Sequence, residues 1–334
     1  MADDDPVDVL IIGGGPTGLF AAFYAGMREM KTRIVDSLHV LGGQLATLYP
    51  EKYIYDVAGF PKVLAKDLVV NLIQQGLQFH PTVCLNEQVQ TLGWDPPAGL
   101  FTVHTSKRCH IARSIVIAAG VGAFDPKRLP LPEAARFEGR GLQYSVSSVD
   151  ALAGKRVLII GGGDSAVDWA NTLADRTQSQ VLIHRRDAFR AHEDSVHRMR
   201  NGPTRILTSH ELVAIKGQER VEAAVVRDHR AGVDERLPID VILVNIGFQS
   251  TLGPIAHWGL NLEGSAIKVD NTMRTSRDGV YAAGDVASYP GKLKLIAVGF
   301  GEAATAVNHA RKFIDPSAKL FPGHSTDVIP GRVR

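Results

Sequence analysis

Apolar residues follow two spacings along this chain, and the change from one to the other occurs twice in the same way. Val9-Leu10-Ile11-Ile12 is a short unbroken apolar run, the pattern of a parallel strand buried on both faces. Gly13-Gly14-Gly15-Pro16-Thr17-Gly18 follows, and then Leu19, Phe20, Ala22, Phe23 and Ala25 recur at helical spacing. Thr32-Arg33-Ile34-Val35 reads as a second strand, ended by Asp36. The succession returns with the strand Arg156-Val157-Leu158-Ile159-Ile160 and the loop Gly161-Gly162-Gly163-Asp164-Ser165-Ala166. A helix carrying Val167, Trp169, Ala170, Leu173 and Ala174 comes next, then Val181-Leu182-Ile183. Gly13 and Gly161 are 148 positions apart, and so are Asp36 and His184. The repeat predicts an α/β chain with two strand–helix–strand units.

Elsewhere the pattern is plainer. Tyr49 to Pro61 has little periodicity and many tyrosines, and reads as a long loop. Ala65 to Leu77 is an amphipathic helix, with Leu68, Val69, Leu72 and Ile73 on one side. Val83 to Thr105 reads as short strands, and Ser114 to Gly120 as a buried strand able to return to the first sheet. Phe124 to Arg140, with three prolines, reads as a linker. Strands are predicted around 212–215, 223–226, 241–244 and 280–286. A last helix carries Ala303, Ala304, Ala306, Val307 and Ala310, with its N-terminus expected near Gly301 and Glu302. The tail from Asp315 to Arg334 has no helical pattern.

Composition narrows the class. At 334 residues, 45% hydrophobic and 22% charged, the chain suits a soluble protein of two domains. A net charge of +2 gives no reason to expect nucleic acid or a membrane surface as partner. No apolar run has the length of a membrane helix, and the acidic start Asp3-Asp4-Asp5 is unlike a signal peptide. Cys84 and Cys109 show no metal spacing, and a structural role in a reducing cytoplasm is expected of both. His192 and His197, five apart, would align poorly as ligands on a helix, so no metal site is expected.

The glycine loops carry the chemistry. Gly13 permits a tight turn, Gly15 lets backbone approach a pyrophosphate, and Gly18 lets helix and strand pack closely. The helix N-terminus offers free N–H groups to the phosphates, and Asp36 can accept hydrogen bonds from a ribose. In the second copy His184 replaces that acid, with Arg185 and Arg186 behind it. A carboxylate would repel a 2′-phosphate, whereas a guanidinium can clamp one. The first unit is therefore expected to take FAD or NAD, and the second NADP. Gly43, Gln44 and a nearby tyrosine can approach a flavin ring, although a loop packed by its own aromatics would look the same. Asp285 can bind the sugar-alcohol hydroxyls of a flavin, or merely cap a turn. The last helix N-terminus can stabilise negative charge at a reduced flavin.

Gly42-Gly43-Gln44-Leu45, the His-Arg-Arg run and Tyr281-Ala282-Ala283-Gly284-Asp285 resemble the low-molecular-weight thioredoxin reductases. Those enzymes carry a Cys-x-x-Cys pair after a Gly-x-x-Tyr. Here Gly141-Leu142-Gln143-Tyr144 leads into Ser145-Val146-Ser147-Ser148, so no dithiol cycle is possible at that place. That departure resembles the thioredoxin-reductase-like ferredoxin–NADP+ reductases, as do Tyr49 to Asp56, Gly162 to Ala170, Phe189 to Glu193 and Leu320 to Thr326. The resemblance spans essentially the whole chain. It implies a homodimer with one FAD per subunit and a small iron–sulfur ferredoxin or a flavodoxin as electron partner. Tyr49 and His324 match the residues that stack on the two flavin faces, His324 from the partner subunit.

The expected architecture is two Rossmann-like domains, an FAD domain over 1–120 and 250–334 and an NADPH domain over 121–249. Expected cofactor contacts in the first are Gly13, Gly15, Pro16, Thr17, Gly18, Asp36, Gly43, Gln44, Tyr49, Asp285 and Val286, with Thr326 in the tail. In the second they are Gly161, Gly163, Asp164, Ser165, Ala166, His184, Arg185, Arg186 and Arg190. Lys127, Arg128, Lys292, Lys294, Arg332 and Arg334 would form a basic rim for the acceptor, or ordinary solvated charges. The alternatives are a flavoprotein reductase of a separate disulfide protein or a quinone, and a non-catalytic flavin or nucleotide sensor.

Overall fold

The structure, a computed structural model, describes residues 5–146, 148–321 and 323–324. The chain forms two compact units, Met1–Phe124 with Ser250–Arg334, and Asp125–Gln249.

In the first unit, Thr82–Cys84, Thr32–Val35, Val7–Ile12 and Cys109–Ile117 lie side by side in that order, all parallel. The last three residues of Cys109–Ile117 pair with Val280–Ala282, also in parallel. Its first half instead runs antiparallel to Leu100–Thr105, which pairs with Val89–Asp95. The unbroken apolar run of the first strand has a direct cause: both faces of the sheet are covered. Val9, Ile11, Ile34 and Val116 face helices Pro16–Met27 and Ile296–Ile314 through Leu19, Ala22, Ala303 and Val307. Leu10, Ile12, Ile115 and Ile117 face Ile255, Trp258 and Ile267 on the other side.

In the second unit a five-stranded parallel sheet runs Leu142–Gln143, Val241–Val244, Arg156–Ile160, Ser179–His184, Arg205–Thr208. Val157 and Ile159 pack on helix Asp164–Leu173, and Leu158 and Ile160 fill the opposite core. The strands predicted near 212–215 and 223–226 are present, but they form a separate antiparallel sheet with Val233–Pro238.

Two expectations are corrected. Phe124 to Arg140 is no linker: Ala134–Phe137 makes a helical turn whose Ala134 and Phe137 are buried in the second core. Two apolar side chains one turn apart outweigh the prolines around them. The last helix starts at Ile296, not near Gly301. Gly299 is not a breaker there, because its bare Cα admits Thr17: a β-carbon would lie 2.4 Å from Thr17 Oγ1.

Candidate functional site

The first glycine loop is shaped by close approaches that only hydrogen atoms permit. Gly13, at φ +108°, would drive a β-carbon to 2.4 Å from the Ala118 carbonyl oxygen. A β-carbon on Gly18 would lie 1.9 Å from the Gly13 oxygen, so helix and loop touch there as the spacing predicts. Gly15 is different. Its β-carbon would meet nothing nearer than Gly43 Cα at 3.8 Å. Gly15 and Gly43 thus face each other with bare backbone, Gly15 at the N-terminus of Pro16–Met27 and Gly43 at that of the short helix Gln44–Thr47. A β-carbon on Gly43 would lie 2.9 Å from Gly15 Cα, so the two backbones touch there, while the β-position of Gly15 itself is left open at its helix N-terminus.

Asp36 closes one side. Its Oδ2 accepts the Gly14 amide at 2.5 Å and its Oδ1 the Leu38 amide at 2.8 Å. Burial pushes its carboxyl above the usual range, and these two backbone donors pull the other way. Two donors leave a carboxylate further lone pairs for ribose hydroxyls. Gly14, which drew no attention in the sequence, lies close under the Asp36 carboxylate: a β-carbon there would sit 3.1 Å from Asp36 Oδ2 and 2.5 Å from Leu41 Cδ2.

Thr17 closes the other side, its hydroxyl lodged against Gly284 and Gly299. This joins the first loop to Asp285 and Val286, which form a 3-10 turn with Gly284 just beyond strand Val280–Ala282. The loop, Asp36, Gly43, Gln44 and Asp285 all lie beyond the carboxyl ends of parallel strands, where open α/β sheets bind ligands. Tyr49 belongs to the same cluster. Its phenol is pushed up to about 12 by burial and by the nearby Asp285 carboxylate. Burial likewise raises the Asp285 carboxyl, with Lys292 and Lys294 opposing.

Glu302, Tyr289 and Lys292 escaped the sequence reading as a group. The buried Glu302 carboxylate accepts from the Gly284 amide (2.7 Å), the Tyr289 hydroxyl and Lys292 Nζ. Lys292 is therefore a buried ion-pair partner, not a rim charge. Arg128 is also engaged, by Glu138 and by stacking on Tyr144, whereas Lys127 and Lys294 are exposed. An acid between Gly301 and an alanine-rich helical face was the available signal.

The second loop repeats the first with other groups. Gly161, at φ +149°, crowds the Asn245 carbonyl, while Gly163 opens onto free space at the N-terminus of Asp164–Leu173. Asp164 Oδ1 accepts the His192 amide at 3.1 Å, and the Gly162 carbonyl accepts the Arg190 amide at 2.7 Å. The segment after His184 is thereby folded back onto the loop that carries Ser165 and Ala166. His184 Nε2 lies 3.2 Å from the Ala188 carbonyl, and its ring stacks on Phe189. Burial lowers the imidazole's pKa despite that bond, and Arg185, Arg186 and Arg190 lower it further. All three arginines are exposed.

Ser145 and Ser148 are exposed. His324 stands exposed with its ring edge-on to Phe321, centroids 5.3 Å apart. The tail's root is held by Arg28, which donates to the Lys319 and Leu320 carbonyls and to Asn308. Thr326, Arg332 and Arg334 lie outside the described residues.

Cys84, Glu87 and His110 bring potential metal-ligating atoms within 4.8 Å of one another. Their hydrogen bonds favour another role. Arg33 Nη1 can only donate, at 3.1 Å to His110 Nδ1, so Nε2 carries the proton and donates to Glu87 Oε1 at 2.7 Å. A buried guanidinium beside the imidazole opposes a metal cation and pairs with the carboxylate through it.

The pyridine nucleotide-disulphide oxidoreductase family matches residues 7–310. A ferredoxin–NADP reductase of Halalkalibacterium halodurans is 52% identical over 96% of this chain and 98% of its own. One from Thermus thermophilus is also 52% identical, over 98% of this chain and 99% of its own. Among solved structures, Lactococcus lactis thioredoxin reductase in its FR conformation superposes with a TM-score of 0.78 at 27% identity, covering 92% of this chain and 99% of that one. Thioredoxin reductase from T. acidophilum shares the fold, with a TM-score of 0.80 at 23% identity over 94% and 99% of the two chains. The chain belongs to the pyridine nucleotide-disulphide oxidoreductase family, among the ferredoxin–NADP reductases built like thioredoxin reductases.

Proposed function

We propose that this protein is a flavoenzyme that moves electrons between NADPH and ferredoxin, or flavodoxin, through FAD. The observation that carries the reading is the pair of glycine loops with opposite strand-end chemistry, Asp36 beside the first and His184-Arg185-Arg186 beside the second. The names of the relatives agree with it. Serine at 145 and 148 supports an acceptor outside the chain, since no disulfide can form there.

The first unit fits FAD on its own geometry, because Gly15 leaves the backbone open at the N-terminus of Pro16–Met27, where a pyrophosphate can meet free N–H groups. Gly13, Gly15, Pro16, Thr17 and Gly18 would hold the phosphates, Asp36 the adenosine ribose, and Asp285 and Val286 the ribityl side. Gly43, Gln44 and Tyr49 would flank the ring, and Thr326 would join from the tail. When bound, FAD supplies the exchange between two-electron hydride and single-electron chemistry. Burial and the Asp285 carboxylate push the Tyr49 phenol up to about 12, which suits a side chain that packs against the ring. In the second unit Gly161, Gly163, Asp164, Ser165 and Ala166 would receive the NADPH pyrophosphate. Arg185, Arg186 and Arg190 would receive the 2′-phosphate.

A homodimer working in the cytoplasm completes the proposal, with His324 covering the partner's flavin, and neither membrane nor nucleic acid as partner. Among the described residues no helix is long and apolar enough to cross a membrane. The test is NADPH-dependent reduction of a panel of ferredoxins and flavodoxins, with a disulfide protein and a quinone as competing acceptors. Reduction of the quinone or disulfide alone would overturn the acceptor. A bound flavin that NADPH leaves yellow under anaerobic mixing would point to a sensor.

A further inference from the structure

We infer that Glu302 is a positioning residue of the FAD site, fixing the Gly284–Asp285 turn from inside helix Ile296–Ile314; the inference rests on the FAD reading above. Glu302 is 5% exposed, on a helix whose neighbouring inward positions are Gly299, Ala303 and Ala306. A small apolar residue would suit that surface, and a buried carboxylate is costly unless fully paired. Its partners explain its presence. Oε2 accepts the Gly284 amide at 2.7 Å, and Oε1 accepts the Tyr289 hydroxyl and Lys292 Nζ, each at 2.5 Å. One side chain thus ties the residue before Asp285 to the segment that follows it.

The turn needs such a tie. Gly284 sits at φ +79°, outside the helix and beyond the strand that ends at Ala282. Strand pairing reaches only as far as the Ala283 amide, which donates to the Ile117 carbonyl at 3.0 Å. On its other side Gly284 is limited by Thr17 of the first glycine loop. Glu302 supplies the hydrogen bond that the sheet no longer provides. Lys292 neutralises the carboxylate, so the tie adds no net charge beside Asp285. The Tyr289 phenol, pushed up to about 12 by burial and by its Glu302 contact, stays a donor.

Two charge-neutral double variants separate the hydrogen bond from the ion pair. E302Q with K292M keeps an acceptor for the Gly284 amide, whereas E302A with K292M removes it. FAD release from diluted holoenzyme, followed by flavin fluorescence, should stay within about threefold of wild type in the first. It should rise about ten- to hundredfold in the second, the cost of leaving the buried Gly284 amide without an acceptor, with a shifted flavin absorption band. If both variants release FAD as wild type does, Glu302 does not position the site. If wild-type protein binds no FAD, the FAD reading itself fails. Should the alanine variant not fold, hydrogen exchange at the Gly284 amide of wild-type holoenzyme decides. Strong protection supports the tie, and exchange at the rate of an exposed loop overturns it.

Discussion

The His184 imidazole lies on Gly162 so closely that a β-carbon there would be 2.3 Å from Cε1. Asp36 stands over Gly14 in the same way, with a built β-carbon 3.1 Å from Oδ2. In both copies the strand-end side chain rests on the second glycine of the loop, so that glycine sets where the strand-end side chain sits, at the proposed ribose end. His184 stacks on Phe189 and lies within hydrogen-bond distance of the Ala188 carbonyl, beside the exposed Arg185 and Arg186 proposed to meet the 2′-phosphate.

Arg185→Ala and Arg186→Ala should each weaken NADPH about ten- to hundredfold, a charge-assisted contact of roughly 1.5–3 kcal/mol. NADH should be little affected. Steady-state KM values for both nucleotides check this, and equal losses would show that the arginines do not read the 2′-phosphate.

Gly18→Ala and Gly15→Ala should fail differently. The first methyl would collide with the Gly13 oxygen at 1.9 Å and cost stability, roughly 1–3 kcal/mol or more. The second has room, its nearest neighbour being 3.8 Å away, yet its methyl enters the open space at the helix N-terminus proposed for the pyrophosphate. Thermal melts and FAD titration of the two variants should show loss of stability in one and about tenfold or weaker FAD binding in the other. Unaltered FAD binding by a folded Gly15→Ala protein would move the site elsewhere.

Cys84 is buried and Cys109 exposed. Replacing both by serine should leave NADPH oxidation with ferredoxin nearly unchanged, because neither thiol is needed to carry electrons. A large fall in turnover of the folded double variant would reveal a redox-active thiol.

Deleting residues from Lys319 onward should alter the flavin spectrum and shift electrons from ferredoxin toward oxygen, while FAD stays bound. Arg28→Ala should reproduce part of this, since Arg28 holds the carbonyls of Lys319 and Leu320 at the tail's root. A truncated protein matching wild type in spectrum and acceptor preference would place the tail away from any flavin.

Acid should destabilise the fold through His110 and Glu87. Burial lowers the His110 pKa below its ordinary 6.5 despite Glu87, with Arg33 and Arg108 lowering it too. The unfolded chain then binds more protons just below pH 6.5, so stability rises with pH through that window and is lost as pH falls. Burial tends to raise the Glu87 carboxyl, but Thr105, His110 and Arg108 bring it below 4.5, so its contribution is also lost in acid. His110→Gln should flatten the difference between denaturation midpoints near pH 5.5 and 7.5. An unchanged difference would locate the acid sensitivity elsewhere.

The sequence alone determined the paired strand–helix–strand units, because buried parallel strands must be continuously apolar and a glycine loop must follow them at fixed spacing. Thr32–Val35 and the helix over Ala65–Gly76 were legible for the same local reason. Tertiary structure decided what depends on contacts between distant positions. Nothing near Gly299 in sequence says that Thr17 will fill the space above it, so the start of the last helix was misplaced. Nothing near Phe137 marks it as core, because the core it joins is assembled from separate strands that run from Leu142 to Val244. Lys292 looks like any surface lysine until Glu302, ten residues on in the last helix, takes its charge. Burial and pairing are properties of the folded chain, and they decide which polar residues hold a site together.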